Sequence, residues 1–303
     1  MPQPGPSLHK LCHAAMGTTF EVIFVESNAK YAQQASQAVF TEIDRIETLF
    51  SRFDPSSEIS MINRLNPGQS LSVSVDVYDC LTTAFLIQDR TAGAFDINFA
   101  VSSRTDSGWL KKPVEIRRSK HEYLVKYPDE QPERRYGGVD FDLGGIGKGF
   151  ALDKALDIFR DWSIENALIH GGTSTALAIG NASGQRGWPV GVGGNWPVLK
   201  EFRYFLKTRA LSGSGTEVKG RHIINPGTGQ NASGHTGAWV SHPSAAVADA
   251  LSTAFLVMDS SEVVSYCEQF PDTWALVLID PDHFEVYNDV LESDFSCEKE
   301  STR

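Results

Sequence analysis

Asp140-Phe141-Asp142-Leu143-Gly144-Gly145-Ile146-Gly147-Lys148-Gly149-Phe150 holds two acids, four glycines and one lysine in eleven residues. Ahead of it, residues 139–143 alternate as a strand does. Behind it, Phe150, Ala151, Ala155, Leu156 and Phe159 fall at helical spacing, so the glycines mark a strand-to-helix junction. Such a turn aims backbone N–H groups at an anion, and Lys148 adds a positive charge. Neither familiar phosphate pattern fits. Asp142 stands where a Walker loop needs glycine and Gly149 where it needs serine or threonine, while Gly145, Gly147 and Gly149 lack the two-residue gap of a dinucleotide fingerprint. A tight turn with a solvated lysine remains open as the plainer reading of this stretch.

Away from this junction, strand-like segments outnumber helical ones and long crossovers are few. The expected fold class is therefore α+β, with largely antiparallel sheets and packed helices. Helices are expected at 29–50, 76–91 and 244–258. The first carries Ala35, Val39, Ile43, Ile46 and Phe50 on one stripe, and the second is closed by Gly93. Strands are expected at 20–26, 71–75, 114–118, 122–127, 167–170, 175–179, 188–192, 201–209, 222–226, 238–241, 275–279 and 284–287, with a loop at 129–138. Residues 1–15 read as an arm with little structure of its own, 16–290 as one domain or two intimately packed lobes, and 291–303 as a polar, frayed tail.

The chain has 303 residues, 41% hydrophobic and 21% charged, with a formal net charge of −11. That balance argues against a nucleic-acid partner, which needs clustered Lys and Arg. No apolar stretch is long enough to insert in a membrane, and no apolar run follows a basic N-terminal end as in a secretory signal. Cys12, Cys80, Cys267 and Cys297 are scattered, read as reduced thiols, and with the missing signal predict a cytoplasmic protein, or a periplasmic one if an export signal has been removed.

Asp249 and Thr253 are four apart on an expected helix and Ser252 is three from Asp249, so their oxygens share one face. A carboxylate, two hydroxyls and a nearby carbonyl make the hard-oxygen setting that Mg2+ accepts when phosphate and water complete its shell. The same residues also read as a helix-start acid with Ser and Thr bonding back to carbonyls. His222, beside Arg221, is a candidate general base, against the commoner strand-end histidine that only holds a loop. His170 raises the same question. Phe53 and Phe95 flank polar loops and can stack on a flat ring or simply fill the core.

Taken together, Met16-Gly17-Thr18-Thr19, Ser51-Arg52-Phe53 with Ser57-Glu58, Gly93-Ala94-Phe95-Asp96, residues 142–149, Gly171-Gly172, Ser212-Gly213, His222-Ile223-Ile224-Asn225-Pro226 and residues 249–254 resemble the FAD:protein FMN transferases, the ApbE-type flavin transferases. The order agrees from about residue 16 to 280. The resemblance implies an ApbE-like fold and a Mg2+-dependent transfer of the FMN moiety of FAD to a threonine hydroxyl of an acceptor protein, with release of AMP. It further implies that Met16, Phe53, Ala94, Phe95, Asp96, Asp142, Lys148 and Ile223 contact FAD. By the same resemblance, the Gly145 carbonyl with Asp249, Ser252 and Thr253 holds Mg2+, and His222 is the base. Where the family often has arginine, this chain has Gly227, and the segment after Asp96 is atypical. The alternatives are a Mg2+-dependent FAD pyrophosphatase, which releases FMN and AMP to water, and a non-catalytic FAD-binding protein.

Overall fold

The structure, a computed structural model, describes residues 7–26, 28–98, 104–105, 108–109, 114–120, 122–128, 139–192, 196–200, 202–215, 223–232, 234–288 and 295–299. The expected loop at 129–138 and the pair Arg221 and His222 lie outside the described residues.

Eight strands form one sheet in which spatial order is chain order: Ser7–Ala15, Thr18–Glu26, Ala167–Gly171, Thr175–Ile179, Ala210–Gly215, Gly237–His242, Trp274–Asp280 and His283–Tyr287. Each pairs antiparallel with the next. Side chains of alternate residues leave the sheet on opposite faces, and both faces are buried. Phe20, Val22, Phe24, Ile169, Leu177, Val240 and Val277 meet the helices. Leu168, Leu211, Trp274, Leu276 and Leu278 meet a second cluster built with Trp188, Tyr204 and Leu206. These come from a three-stranded sheet of Trp188–Val190, Phe202–Leu206 and Phe295–Lys299. The Tyr204 and Trp274 rings meet edge to face at 5.2 Å across that interface.

Among the described residues, four helices lie in the long insertion between the second and third strands: α1 (Ala29–Phe50), α2 (Glu58–Ile62), α3 (Val75–Arg90) and α4 (Gly147–Asp161). Asn28 caps α1 and Ser57 caps α2, each accepting a backbone N–H of the first turn. After α3, Gly93 at φ +86° donates its N–H to the Gln88 carbonyl at 2.8 Å, closing the helix as expected. The hairpin Glu115–Arg118 and Tyr123–Lys126 is joined by Ser70–Val73 into a small separate sheet. Arg104–Thr105 and Gly108–Trp109 pair as a short ribbon. Late in the chain come α5 (Ala245–Ala254) and α6 (Ser260–Gln269), the latter opened by an Asp259–Glu262 capping box.

Several expectations are corrected. Residues 7–15 are not an arm but the edge strand, because Met16-Gly17 is a two-residue hairpin turn with φ of +49° and +68°, the left-handed pair that joins twisted strands. The tail is not wholly frayed: Phe295–Lys299 pairs antiparallel with Phe202–Leu206. Residues 139–143 form no strand. Phe141 makes one isolated bridge to Asn98, and side-chain amides take the place of a neighbouring strand. The Asn63 amide grips the Phe141 N–H and C=O at 2.7 and 3.0 Å, and Asn98 Oδ1 accepts the Asp140 N–H at 2.9 Å. Likewise Ile224 makes a single bridge to Asn231 and no strand.

Candidate active site

The glycine junction feeds α4 as expected, and the site is built where α4, α5 and the middle of the sheet converge. Ser212 and Ser214 share the core-facing side of their strand with Ala210, and Thr175 shares that of Leu177. Hydroxyls at core-facing positions need partners, and they find them on α5. Asp249, 3% exposed, accepts hydrogen bonds at Oδ1 from Thr175 Oγ1 (3.2 Å) and Ser212 Oγ (3.1 Å). Its Oδ2 accepts the Gly149 N–H at 3.1 Å and lies 3.5 Å from Lys148 Nζ. Lys148 also donates to the Gly144 carbonyl at 3.0 Å. The lysine is thus not merely solvated: it spans from the glycine turn to the carboxylate of α5.

Ser252 and Thr253 both hydrogen-bond back to the Asp249 carbonyl, at 2.9 and 3.4 Å. The back-bonding reading is therefore correct for the hydroxyls, but Asp249 is not a helix-start acid, since it lies mid-helix. Ser214 Oγ stands 2.9 Å from Ser252 Oγ and 3.4 Å from Thr253 Oγ1. Gly145 enters the same corner from the turn. A Cβ there would lie 3.3 Å from both Thr253 Oγ1 and the Phe95 ring, so the main chain is held between an aromatic edge and a hydroxyl. Residues far apart in sequence, Phe95, Gly145, Lys148, Asp249, Ser252 and Thr253, are brought together here.

Asp142 sits beside this corner and is braced by the protein. Its Oδ1 accepts the Gly144 N–H at 2.8 Å, while Arg52 Nη1 reaches Oδ2 at 3.0 Å and Arg52 Nη2 reaches Asp140 at 2.9 Å. Arg52 thereby clamps the end of α1 to the glycine turn, and its guanidinium lies 6.0 Å from the centre of the Phe53 ring. Phe53 is 90% exposed, which is not the setting of a core aromatic. Met16, half-buried at the hairpin tip, donates its N–H to Glu47 Oε1 at 2.7 Å. Its positive φ is an uncommon conformation for a side chain of this size, held by the turn. Ala94 and Ile223 are half-buried against the main core. His170 is fully employed, its ring nitrogens at 3.1 Å from Glu21 and 3.0 Å from the Gly172 carbonyl, which is a structural role.

Burial holds the Asp96 carboxyl up at about 6, against the pull of the Asn98 N–H at 2.8 Å and the Gln88 side chain. An unfolded aspartate titrates at about 3.9, so the folded chain binds the extra proton between the two values. Stability contributed here falls as pH rises from about 4 to about 6 and stays low above that. Asp96→Asn removes the buried charge and keeps an oxygen for the Asn98 N–H. The variant is expected to be more stable than the parent by on the order of 2 kcal/mol at pH 7.5, with the gap closing at pH 4. Paired denaturant titrations at the two pH values check this, and an equal gap at both would contradict it.

The sequence singles out Ser212 and Arg52 only as members of motifs, without a role for either, and gives no sign of Thr175 or Ser214 as supporting hydroxyls. A polar residue at a core-facing strand position was the available signal for the hydroxyls, while the partners of Arg52 depend on chain folding over some ninety residues. Among the described residues no group of three or more His, Cys, Asp or Glu side chains could hold a metal ion. A nitrogen- or sulfur-rich centre is thus not formed by them. The Asp249 carboxylate, the Thr253 hydroxyl and the Gly145 main chain instead suit a hard cation that takes only one or two carboxylates and completes its shell with phosphate and water.

The sequence profile of the ApbE family matches residues 16–278. The chain is 25% identical to the FAD:protein FMN transferase of Treponema pallidum, with 87% of this chain and 82% of that protein covered. It is 24% identical to the protein of the same name from Salmonella typhimurium, covering 85% and 80%. The crystal structure of the ApbE protein of Thermotoga maritima superposes with a TM-score of 0.77 over 95% of this chain and 99% of that one, at 24% identity, which shows a common fold. The match spans every element that builds the Lys148–Asp249 corner, from the Met16 turn to the Trp274–Asp280 strand, and the chain belongs to the ApbE family.

Proposed function

We propose that this protein is an FAD:protein FMN transferase, moving the FMN moiety of FAD onto a threonine hydroxyl of an acceptor protein with the aid of Mg2+ and releasing AMP. The observation that carries this reading is the corner in which one buried carboxylate, hydroxyls and a glycine main chain face a lysine at a helix start. It rests further on the names of the relatives, which are FAD:protein FMN transferases over most of their length.

In this reading the threonine oxygen attacks the FMN-side phosphorus of FAD. A phosphoester forms, the bond to the AMP phosphate breaks, and AMP departs with the electron pair. His222 takes the threonine proton. Lys148 and the N–H groups of the glycine turn hold pyrophosphate oxygens, and Lys148 leaves Asp249 to do so. Gly145, Asp249 and Thr253 are the residues that would hold Mg2+, with Ser252 beside them. When bound, Mg2+ offsets charge on the pyrophosphate and eases departure of AMP. Thr175 and Ser212 hold Asp249 Oδ1 and the Gly149 N–H holds Oδ2, which fixes the carboxylate in the orientation in which it would meet a cation. Arg52 keeps Asp142 and the turn in place for FAD. Met16, Phe53, Ala94, Phe95, Asp96 and Ile223 line the nucleotide pocket, with the exposed Phe53 ring offering a stacking surface and the raised Asp96 carboxyl a polar contact.

The test is incubation with FAD, Mg2+ and a candidate acceptor, followed by intact-mass and peptide analysis of the acceptor. An FMN-sized increment on one threonine, lost when that threonine is replaced by alanine, is the expected result. Stoichiometric AMP with free FMN would instead make the protein a pyrophosphatase.

A further inference from the structure

The two helices that meet at the site cap each other. α4 has Ile146 at its N-cap position, which supplies no side-chain cap, and the Gly149 N–H in its first turn is taken by Asp249 of α5 at 3.1 Å. α5 in turn receives a carboxylate from α4. Asp153 Oδ1 accepts the Ala245 N–H at 2.7 Å, and Oδ2 accepts the Ala246 N–H at 3.0 Å and the Ser244 hydroxyl at 2.7 Å. The arrangement is reciprocal: Gly149 and Asp153 are one turn apart on α4, and Ala245 and Asp249 one turn apart on α5. Each helix offers free N–H groups at the first position and a carboxylate at the second. The contact is also close, since a Cβ on Gly149 would lie 2.1 Å from the Ala245 carbonyl oxygen. Sliding either helix along the other would break both caps at once.

This ties two halves of the cation corner together. The Gly145 main chain belongs to the turn that opens α4, whereas Asp249 and Thr253 belong to α5. We propose that Asp153 is a positioning residue of the candidate cation site, one that sets the spacing between the glycine turn and Asp249 and Thr253 and so sets the affinity for the divalent cation. The inference rests on the reading of that corner under Proposed function. Burial raises the Asp153 carboxyl above the ordinary range, while the N–H groups of Ala246 and Ala245 and the Ser244 hydroxyl oppose the shift. Asp153→Asn keeps the shape but turns one acceptor into a donor facing the Ala246 N–H or the Ala245 N–H, which loosens the start of α5.

Mn2+ serves as a paramagnetic probe of cation binding to the full chain, with and without FAD, alongside thermal melts and the cation dependence of turnover. Asp153→Asn is expected to weaken Mn2+ binding about tenfold and to raise the Mg2+ concentration for half-maximal rate by the same factor, with kcat at saturating Mg2+ within about twofold of the parent. Ser244→Ala removes one donor to Asp153, together with the Ser244 cap on the Val247 N–H, and leaves the Asp153 carboxyl in place, so it is expected to shift both quantities about threefold in the same direction; it carries the test if Asp153→Asn does not fold. Asp76→Asn is the control for a purely structural buried carboxylate. Asp76 pairs with Lys154 of α4 at 2.8 Å and with Arg45 of α1 at 2.6 Å, and its loss should lower the melting temperature without moving Mn2+ affinity. If Asp153→Asn, or Ser244→Ala in its place, lowers the melting temperature but binds Mn2+ within twofold of the parent, the positioning role is overturned and the functional reading stands. If the parent binds no Mn2+ in the presence or absence of FAD, the cation reading falls and this inference with it.

Discussion

Asp249→Asn is expected to reduce FMN transfer by on the order of 1,000-fold and to weaken Mg2+ binding in parallel. The carboxylate has protein donors on both oxygens, Thr175 and Ser212 at Oδ1 and Gly149 at Oδ2. An asparagine oxygen can serve only one of these sides. If it faces Thr175 and Ser212, its NH2 group opposes the Gly149 N–H and presents no acceptor to a cation. If it turns the other way, the hydroxyls can rotate to accept, but the negative charge is lost in either case. In a site this buried the charge is poorly replaced by solvent, which is why the effect on chemistry should exceed the effect on folding. Leaving one buried N–H unmet costs about 1–3 kcal/mol, a loss that a chain of this size with two well-packed sheet faces can tolerate. Steady-state transfer rates over a Mg2+ series, with a thermal melt of the same sample, check this. A folded Asp249→Asn protein with rates within tenfold of the parent would remove Asp249 from the cation site.

Gly149→Ala is expected to act first on the structure. Its Cβ would lie 2.1 Å from the Ala245 oxygen, 2.5 Å from the Ala245 carbon and 2.8 Å from Ala246 Cα, all main-chain atoms that no rotamer change can move aside. α4 and α5 must separate, and with them the hydrogen bonds from Gly149 to Asp249 and from Ala245 and Ala246 to Asp153 lengthen or break. Overpacking in a rigid contact of this kind costs about 3 kcal/mol. Most of the transfer activity should disappear even at temperatures where the variant remains folded, because the displaced parts are those that hold the corner. Denaturant unfolding gives the stability change and the same preparation gives the rate. Gly144 is the internal comparison: a Cβ there would meet only the Asp142 side chain, at 3.1 Å, so Gly144→Ala should be much milder.

Much of this architecture can be read from hydrophobic periodicity. The stripe of Ala35, Val39, Ile43, Ile46 and Phe50 marks the buried face of α1, and the sheet strands Ala167–Gly171, Thr175–Ile179, Gly237–His242, Trp274–Asp280 and His283–Tyr287 overlap the apolar segments expected to be strands, whereas Ala210–Gly215 falls outside them because Ser212, Gly213, Ser214 and Gly215 carry no apolar alternation. Ser7–Ala15 is less legible because its side chains are mostly exposed at the sheet edge, so its pattern carries little contrast. The opposite error at residues 139–143 comes from alternation without a neighbouring strand: Asn63 and Asn98 satisfy that backbone, and side-chain amides leave no periodic trace. For the site, i,i+4 spacing is enough to place Asp249 and Thr253 on one helix face. Of the buried partners of Asp249, Ser212 is visible as part of the Ser212-Gly213 motif, and Thr175 only as a hydroxyl at a core-facing strand position. The caps of Asp153 on α5 and the clamp of Arg52 on Asp140 and Asp142 follow from how distant elements pack, which no local pattern encodes.

The intact mass of an acceptor protein after incubation with FAD and Mg2+ tests the chemistry of the Lys148–Asp249 corner most directly. The predicted result is an acceptor heavier by one FMN on a single threonine, with AMP released in equal amount and no increment when the cation is chelated. An unmodified acceptor accompanied by free FMN and AMP, or by intact FAD, would contradict it.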